Sequence, residues 1–243
     1  MRKQIEEGGM KSWPVTIQPM TPTVFLDMNE TLLDLSALDG LFMAAFGDPG
    51  ARKQWFGLVL QLALTHTVLG DYRDFPALGG AALTALGEAR GQDVPDNLPG
   101  DVAGGMRMLP AHPDTREGLE ILRAGGARLV CLTNNPQAVL DAQLENAGFA
   151  DLVDGAVSVD PGRMLKPGQA AYEYGLSRTG AHAHESWLLA AHGWDIAGAK
   201  AAGLHTAFVE RPGQAQNPLM RADISGPLPT VARALIGRLG GQA

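Results

Sequence analysis

The sequence contains little cysteine, with Cys131 as the only one among 243 residues. A single cysteine cannot form an intrachain disulfide, which excludes a small secreted fold held together by disulfides. Basic residues are also outnumbered, because 19 Lys and Arg residues face 26 Asp and Glu residues and leave a formal net charge of −7. Nucleic-acid phosphates are bound by clustered Lys and Arg side chains, so we expect no nucleic-acid partner.

Long apolar runs are missing as well. No stretch reaches the ~18 uninterrupted apolar residues of a membrane span, since even residues 56–64 contain Gly57 and Gln61. The first residues are charged and lead into no apolar segment, which is unlike a signal peptide. We therefore expect a cytoplasmic protein without a membrane partner, in which residues 1–22 form a flexible extension.

The remaining composition is that of a globular protein with many turns, since 45% of residues are hydrophobic and the chain has 31 glycines and 16 prolines. Short apolar segments alternate with helical patterns, which is typical of an α/β fold with a parallel sheet. The predicted strands cover residues 23–26, 128–132, 156–159, 187–190 and 205–209. The predicted helices around the last four strands cover residues 113–124, 136–147, 167–178, 195–202 and 228–239.

The segment after the first predicted strand is almost wholly helical. Residues 37–109 contain four helical patterns and no strand pattern, whereas residues 23–36 and 110–243 carry the α/β alternation. Ligands of open parallel sheets bind beyond the carboxyl ends of the strands. An insertion that leaves from the end of the first strand lies over that edge, so we expect it to act as a lid.

Polar side chains follow several of the predicted strands. Asp27 follows the first strand, and a carboxylate there could either cap the turn or act as a nucleophile. If Lys166 points back to Asp27, its charge lowers the carboxyl pKa by ~1–3 units and keeps it ionised. Thr133, Asn134, His192 and Asp195 stand at or just after other strand ends. Asn134 could instead cap a helix, and a carboxylate such as Asp195 is favourable at a helix start in any case. Their joint placement favours a single active site at this edge of the sheet.

Four segments resemble the motifs of the haloacid dehalogenase superfamily, in the superfamily's order and over about residues 22–240. The segments are Asp27-Met28-Asn29-Glu30-Thr31-Leu32, Leu132-Thr133-Asn134, Lys166-Pro167 and Ala190-Ala191-His192-Gly193-Trp194-Asp195. The resemblance implies a Rossmann-like core, an aspartate nucleophile and, for an insertion at this place, a helical cap domain.

Most members of this superfamily are Mg-dependent phosphatases, and the sequence departs from their pattern. Their second Asp, two residues after the nucleophile, is replaced by Asn29, which cannot exchange a proton in that role. Their last motif has paired acidic residues, of which only Asp195 is present, whereas magnesium prefers carboxylate ligands. The chain resembles instead the L-2-haloacid dehalogenase (type II) branch, which implies no metal and no cofactor.

The branch implies a reaction in two steps on a small haloacid. Asp27 attacks the carbon that carries the halogen and becomes an aspartyl ester, which water then hydrolyses. Lys166 pairs with Asp27, while Asp195, with His192 as a possible helper, activates the water. Thr133 and the backbone N–H groups of Met28 and Asn29 are implied to bind the substrate carboxylate. The other implied contacts are Asn134 at the halide, Tyr172 in the hydrogen-bond network, and Trp194, Phe75 and Leu60 on the apolar wall.

Several positions depart from the branch. A cap arginine normally follows a Trp, but here Trp55 precedes Phe56, which leaves His66, Arg73 and Arg107 as candidates for the missing cation. His192 replaces the last residue of a Ser-Ser-Asn run, and it could serve as a general base or as a structural residue.

These departures keep two alternatives open. One is a Mg-dependent phosphatase-like hydrolase, and the other is a non-catalytic binding protein derived from the same fold. The pair His182 and His184 is expected to be a polar loop rather than a zinc site, and Cys131 a buried, inert thiol. The apolar residues of the insertion are compatible with a homodimer.

Overall fold

The computed structural model describes residues 21–240, so the predicted extension over residues 1–22 lies almost entirely outside the described residues. Within them, six parallel strands form one sheet in the order β3-β2-β1-β4-β5-β6. The strands are β1 (Thr23–Leu26), β2 (Arg128–Thr133), β3 (Gly155–Ser158), β4 (Trp187–Ala190), β5 (His205–Val209) and β6 (Ile224–Gly226). The predicted parallel α/β fold is confirmed.

The strand β6 is absent from the sequence prediction. It has three residues, Ile-Ser-Gly, and one apolar side chain. Such a segment carries no readable alternation. Its extended form depends on pairing with β5, where Ala207 lies opposite Ile224 and Val209 opposite Gly226.

Five α-helices lie between β1 and β2, and we call the first four the inserted helices. They are α1 (Asp39–Phe46), α2 (Ala51–Leu69), α3 (Phe75–Arg90) and α4 (Leu98–Arg107). The first three end at glycines with positive φ, such as Gly70 at 65° and Gly91 at 60°, where a residue with a side chain would be strained. No helix of residues 21–240 is long and apolar enough to cross a membrane.

The other helices pack around the sheet. They are α5 (Thr115–Ala124), α6 (Gln137–Ala147), α7 (Gln169–Thr179), α8 (Gly193–Ala201) and α9 (Leu228–Gly240). The helix α8 begins at Gly193, two residues earlier than the sequence predicts, so Asp195 lies within its first turn rather than at its start.

The central strand β1 is buried on both faces, as expected for a parallel sheet covered by helices. Val24 and Leu26 belong to the larger hydrophobic core, which also contains Cys131. Phe25, which points to the opposite face, packs in a second core with residues of α7 and α8. Burial raises the pKa of the Cys131 thiol to about 12, which agrees with its predicted inertness.

The order of the strands puts the end of β1 at the centre of the molecule. The chain adds β2 and β3 on one side of β1 and then crosses to add β4 and β5 on the other. Ligands of open α/β sheets bind at such a reversal point. Asp27, the residue directly after β1, therefore stands at the place where this topology predicts a site.

The inserted helices contact the core through an aromatic group and a buried arginine. The rings of Trp55 and Phe56 in α2 are tilted by 49° with centroids 6.0 Å apart, and Phe75 of α3 meets Phe56 edge-on at 6.4 Å. Phe56 in turn faces His192 of the core, with ring centroids 6.3 Å apart. Arg52, at the start of α2, is 3% exposed and reaches Glu30 of the core with an N–O distance of 3.1 Å. The first turn of α2 is therefore joined to the loop that follows β1.

Candidate active site

Asp27 is 5% exposed and makes hydrogen bonds through both carboxylate oxygens. Its Oδ1 accepts a hydrogen bond from Lys166 Nζ at 2.8 Å. Its Oδ2 accepts one from Thr31 Oγ1 at 2.6 Å and lies 3.3 Å from His192 Nδ1. Burial by itself would raise the pKa of Asp27, but the positive charge of Lys166 and the contact with His192 hold it far below the usual range. Asp27 is therefore ionised.

Lys166 lies between two carboxylates. Its Nζ is 2.8 Å from Asp27 Oδ1 and 2.7 Å from Asp195 Oδ2, and the residue is 1% exposed. Burial would lower the pKa of the ammonium group, but the charges of Asp195 and Asp27 outweigh that effect and raise it. The pairing of Lys166 with Asp27 that the sequence predicts is present in the structure.

Asp195 is fully buried and stands behind Lys166 as seen from Asp27. The hydroxyl of Tyr172 donates to Asp195 Oδ1, so both carboxylate oxygens have a donor. Burial raises the pKa of Asp195, and the nearby Asp27 charge adds to this, although Lys166 acts in the opposite direction. Asp195 is thus the more basic of the two carboxylates in the cluster.

A glycine allows the approach of Tyr172 to this carboxylate. Tyr172 lies on α7, and Gly198 lies on α8 one turn beyond Asp195. A Cβ atom at position 198 would stand 2.6 Å from the Tyr172 hydroxyl and 2.7 Å from the Pro167 carbonyl oxygen. Only glycine lets these segments meet so closely, and this packing fixes the hydroxyl at Asp195.

His192 has a carboxylate at each ring nitrogen. Nδ1 is 3.3 Å from Asp27 Oδ2, and Nε2 is 3.0 Å from Glu30 Oε2. Burial would lower the pKa of the imidazole, but the hydrogen bonds and charges of Asp27 and Glu30 raise it to about 9. The ring is therefore an imidazolium at neutral pH. This form cannot accept a proton, which argues against the general-base role that the sequence allowed.

A small cavity with a volume of ≈ 10 Å³, about the space of one water molecule, lies between the strand ends and the inserted helices. Its wall contains nine of the twelve predicted site residues, Asp27 among them, and also Phe56. The lining residues are Asp27, Asn29, Phe56, Leu60, Phe75, Thr133, Asn134, Lys166, His192 and Trp194. The indole Nε1 of Trp194 is buried and has no hydrogen-bond partner among the described residues.

Three predicted residues do not line this cavity. Met28 is fully buried in the larger core, and its carbonyl accepts hydrogen bonds from the next turn of the loop. Tyr172 and Asp195 lie behind Lys166 and reach the nucleophile only through it. The predicted side chains therefore form two layers. One faces the cavity, and the other, Tyr172 and Asp195, lies behind it and fixes the position of Lys166.

The residues considered for the missing cation are also placed elsewhere. His66 and Arg73 both pair with Asp71, at N–O distances of 3.2 and 3.1 Å, and neither lines the cavity. Arg107 donates to the carbonyl of Ala138 at 3.1 Å and borders a separate apolar pocket. None of these three candidates lines the cavity, and the positive charge near Phe56 on its wall is His192.

Two contacts of the loop that contains Asp27 were not predicted from the sequence. The hydroxyl of Thr31 donates to Asp27 and accepts from the backbone N–H of Ala191 at 2.8 Å, which ties the loop after β1 to the end of β4. Glu30 accepts from His192. Both residues belong to the first motif, so their position was a usable signal, but their side-chain directions could not be read from it.

Asn29 lines the cavity and also belongs to a buried group of side-chain amides. Its Oδ1 accepts from Asn135 Nδ2 at 3.2 Å and from Gln143 Nε2 at 3.1 Å. Gln143 also donates to the carbonyl of Met106 in α4 at 2.8 Å. This group connects the nucleophile's loop, the end of β2 and the inserted helices.

The donor set does not suit a magnesium ion. Within residues 21–240, no group of three or more His, Cys, Asp or Glu side chains is arranged to hold a metal. Magnesium prefers oxygen ligands in octahedral geometry, but the oxygens of Asp27 and Asp195 already share the Lys166 ammonium group. The position between the two carboxylates is thus taken by a side-chain cation.

Comparisons with known proteins agree with this arrangement. The chain is 27% identical over 199 residues to (S)-2-haloacid dehalogenase 1 of Pseudomonas sp. (strain CBS-3), which covers 80% of this chain and 86% of the relative. It superposes on the L-2-haloacid dehalogenase of Xanthobacter autotrophicus with a TM-score of 0.81 at 23% identity, over 90% of this chain and 99% of the other. A structure of the latter with chloropropionic acid covalently bound gives the same TM-score of 0.81 at 22% identity and the same coverage of 90% and 99%.

The family comparison covers most of the chain. The sequence model of the haloacid dehalogenase-like hydrolases matches residues 21–203, which include all four motifs and every residue of the Asp27, Lys166 and Asp195 cluster. The chain belongs to the haloacid dehalogenase-like hydrolase family.

Proposed function

We propose that this protein hydrolyses small 2-haloalkanoic acids, without a metal ion, through an ester formed on Asp27. The observation that supports this most is the state of Asp27, which is ionised, almost completely buried and hydrogen-bonded to Lys166 on the wall of a small, mostly apolar cavity. A carboxylate that has lost its hydration shell is a better nucleophile than one in water.

In the first step, a carboxylate oxygen of Asp27 forms a bond to C2 of the substrate. The carbon–halogen bond breaks with its electron pair, and the halide leaves. Thr133 and the backbone N–H group of Asn29 bind the substrate carboxylate, and Asn134 contacts the halide. The covalent chloropropionic acid in the related Xanthobacter structure supports a covalent step of this kind.

The apolar wall protects the ester until water is admitted. Leu60, Phe75 and Trp194 line the same cavity as Asp27. Because Leu60 and Phe75 come from α2 and α3, the inserted helices supply this cover. We therefore assign residues 37–109 as a cap domain over a core made of residues 23–36 and 110–243.

In the second step, water attacks Cγ of Asp27 and the ester bond breaks. Lys166 stands between the cavity and Asp195, so Asp195 accepts the proton of the water by way of the Lys166 ammonium group and returns it by the same route to the oxygen of the departing hydroxy acid. The second proton of the water leaves when Asp27 ionises again, so each turnover releases one halide and one proton. Asp195 suits this role because burial raises its pKa while Asp27 stays a weak base.

The location and assembly of the protein stay predictions from the sequence. A cytoplasmic enzyme agrees with the composition. A homodimer would be favoured by the exposed apolar side chains near the end of α2, where Val68 is 84% and Leu69 70% exposed.

The proposal is tested by incubating the protein with chloro-, bromo- and fluoroacetate in EDTA and measuring the released halide. Halide release that persists in EDTA and disappears in Asp27→Asn supports the dehalogenase. Phosphate release from a phosphate ester that requires added magnesium would replace it by the phosphatase. Tight binding of a haloacid without turnover would indicate a binding protein.

A further inference from the structure

Glu30 holds an unusual backbone conformation directly beside the nucleophile. Its φ angle is 60°, in the left-handed region that residues with a side chain rarely occupy. Such a conformation persists only where surrounding contacts impose it, and it is common at functional sites. The contacts of the Glu30 side chain must therefore outweigh the free-energy cost of this backbone conformation.

The Glu30 carboxylate accepts hydrogen bonds from three separate segments. Its Oε2 accepts from His192 Nε2 at 3.0 Å and from Gln214 Nε2 at 2.8 Å. Its Oε1 accepts from Arg52 Nη1 at 3.1 Å. These donors come from the end of β4, from the chain after β5 and from α2. The carboxylate is thus fixed in one orientation, with one oxygen directed at the imidazole ring.

The charges around His192 show why this orientation matters. The ring faces Asp27 and Glu30 through its two nitrogens, which requires a proton on each. Lys166 lies on the same cavity wall, and Arg52 lies behind Glu30, and both disfavour a further positive charge. The other neighbours, Phe56 and the Trp194 ring stacked at 5.1 Å, are uncharged. Without Glu30, Asp27 would be the one carboxylate in contact with His192, and Asp27 is also paired with Lys166.

We propose that Glu30 is a positioning residue that keeps His192 doubly protonated beside Asp27, so that the cavity offers a second cation to an anionic substrate and its leaving halide. The catalytic consequence rests on the function proposed above, whereas the effect on His192 does not. Besides Asp27, the cavity wall holds only Lys166 and His192 as charged groups among the described residues. Lys166 is already shared by two carboxylates, which leaves His192 as the cation nearest Phe56.

The test measures the pKa of His192 by NMR titration of the imidazole in the full-length protein and in Glu30→Gln. Glutamine keeps the size of the side chain but removes its charge, so we expect the pKa to fall by about one unit or more. The alkaline limb of the pH profile of kcat/KM for chloroacetate should move down by the same amount. A purely structural role of Glu30 would lower the rate without moving that limb.

Asp39→Asn is the matched control, because Asp39 Oδ1 also contacts Arg52, at 2.5 Å, but does not contact His192. It should leave the pKa of His192 nearly unchanged. Glu30→Gly suits the left-handed backbone and provides the same measurement if Glu30→Gln does not fold. An unchanged His192 pKa in the Glu30 variants would overturn the inference. A lowered pKa in a protein that releases no halide would refute the proposed function and leave the positioning role of Glu30 intact.

Discussion

The side-chain amide of Asn134 holds the backbone of Lys166 on both sides. Its Oδ1 accepts from the Lys166 N–H at 2.7 Å, and its Nδ2 donates to the Lys166 carbonyl at 3.2 Å. Asn134 follows β2, so this pair of bonds fixes the ammonium-bearing loop to the sheet. Asn134, which was expected to contact the halide, therefore also sets the position of Lys166, the residue that pairs with Asp27.

Replacement of Asn134 by alanine should therefore affect the reaction through Lys166. Two buried backbone groups would lose their partners, which costs about 1–3 kcal/mol for each group left unsatisfied. We expect a lower free energy of unfolding in urea and a kcat that falls more than KM rises. A variant in which only KM changes would limit Asn134 to substrate binding.

Replacement of Lys166 by methionine should be far more damaging. It leaves the Asp27 and Asp195 carboxylates buried without their shared cation, and breaking a buried pair in this way costs about 3–5 kcal/mol. Halide release should fall below detection. The control is Lys200→Met, since Lys200 pairs with Asp223 at 2.9 Å in a partly exposed position and should cost less than about 1 kcal/mol. Equal destabilisation by both changes would contradict the importance of the central cluster.

The stability of the protein should decrease between neutral and alkaline pH because of His192. Its pKa is raised from 6.5 to about 9 in the folded protein. The native state thus holds this proton more tightly than the unfolded chain does. The resulting stabilisation, on the order of 3 kcal/mol, is complete below pH about 6.5 and is lost as the pH rises through about 9. Urea unfolding at a series of pH values should show this decline in the native protein and a weaker one in His192→Gln.

The oxygen of the attacking water should enter the enzyme. In a single turnover in ¹⁸O-labelled water with excess protein, water attacks Cγ of Asp27, so the label should appear in the peptide that contains Asp27. The released hydroxy acid should stay unlabelled. Label found directly in the product would mean that water, and not Asp27, displaces the halide.

An arginine at position 56 should not improve the enzyme, although the resemblance to the type II dehalogenases makes it the obvious addition. Phe56 is 4% exposed, and its ring centroid lies 6.3 Å from that of His192. A guanidinium group there would meet the imidazolium and lose the apolar contact with Phe75. We expect Phe56→Arg to lower both the melting temperature and kcat/KM. A rise in kcat/KM would show that His192 does not supply the required charge.

The sequence predicted the sheet and the main chemical groups because these follow from local patterns. Apolar segments that end in polar residues located Asp27, Thr133 and His192 at the same edge, since parallel strands must align there. Lys166 and Asp195 were candidates on the same ground, and the resemblance to known motifs implied their roles. All of these residues are within one cluster in the structure.

The remainder depended on directions that a linear pattern does not encode. The left-handed backbone of Glu30 and the reach of Arg52 from α2 depend on how the inserted helices sit on the core. The same is true of Asp195, which stands behind Lys166 instead of on the cavity wall. The sequence could not identify a cation that replaces the missing arginine, because a position within the insertion does not imply proximity to Asp27. His66 and Arg107 illustrate this.

The buried bond between Arg52 and Glu30 also limits how a haloacid could reach Asp27. One end of α2 is anchored to the core by this ion pair, so the helical layer cannot lift away as a whole without exposing two opposite charges. Phe75 lines the cavity at the first residue of α3, and its ring packs edge-on against Phe56 without an ion pair to the core. We therefore expect substrate to enter through a movement at the start of α3 that displaces the Phe75 ring, while Arg52 keeps the start of α2 fixed to the core.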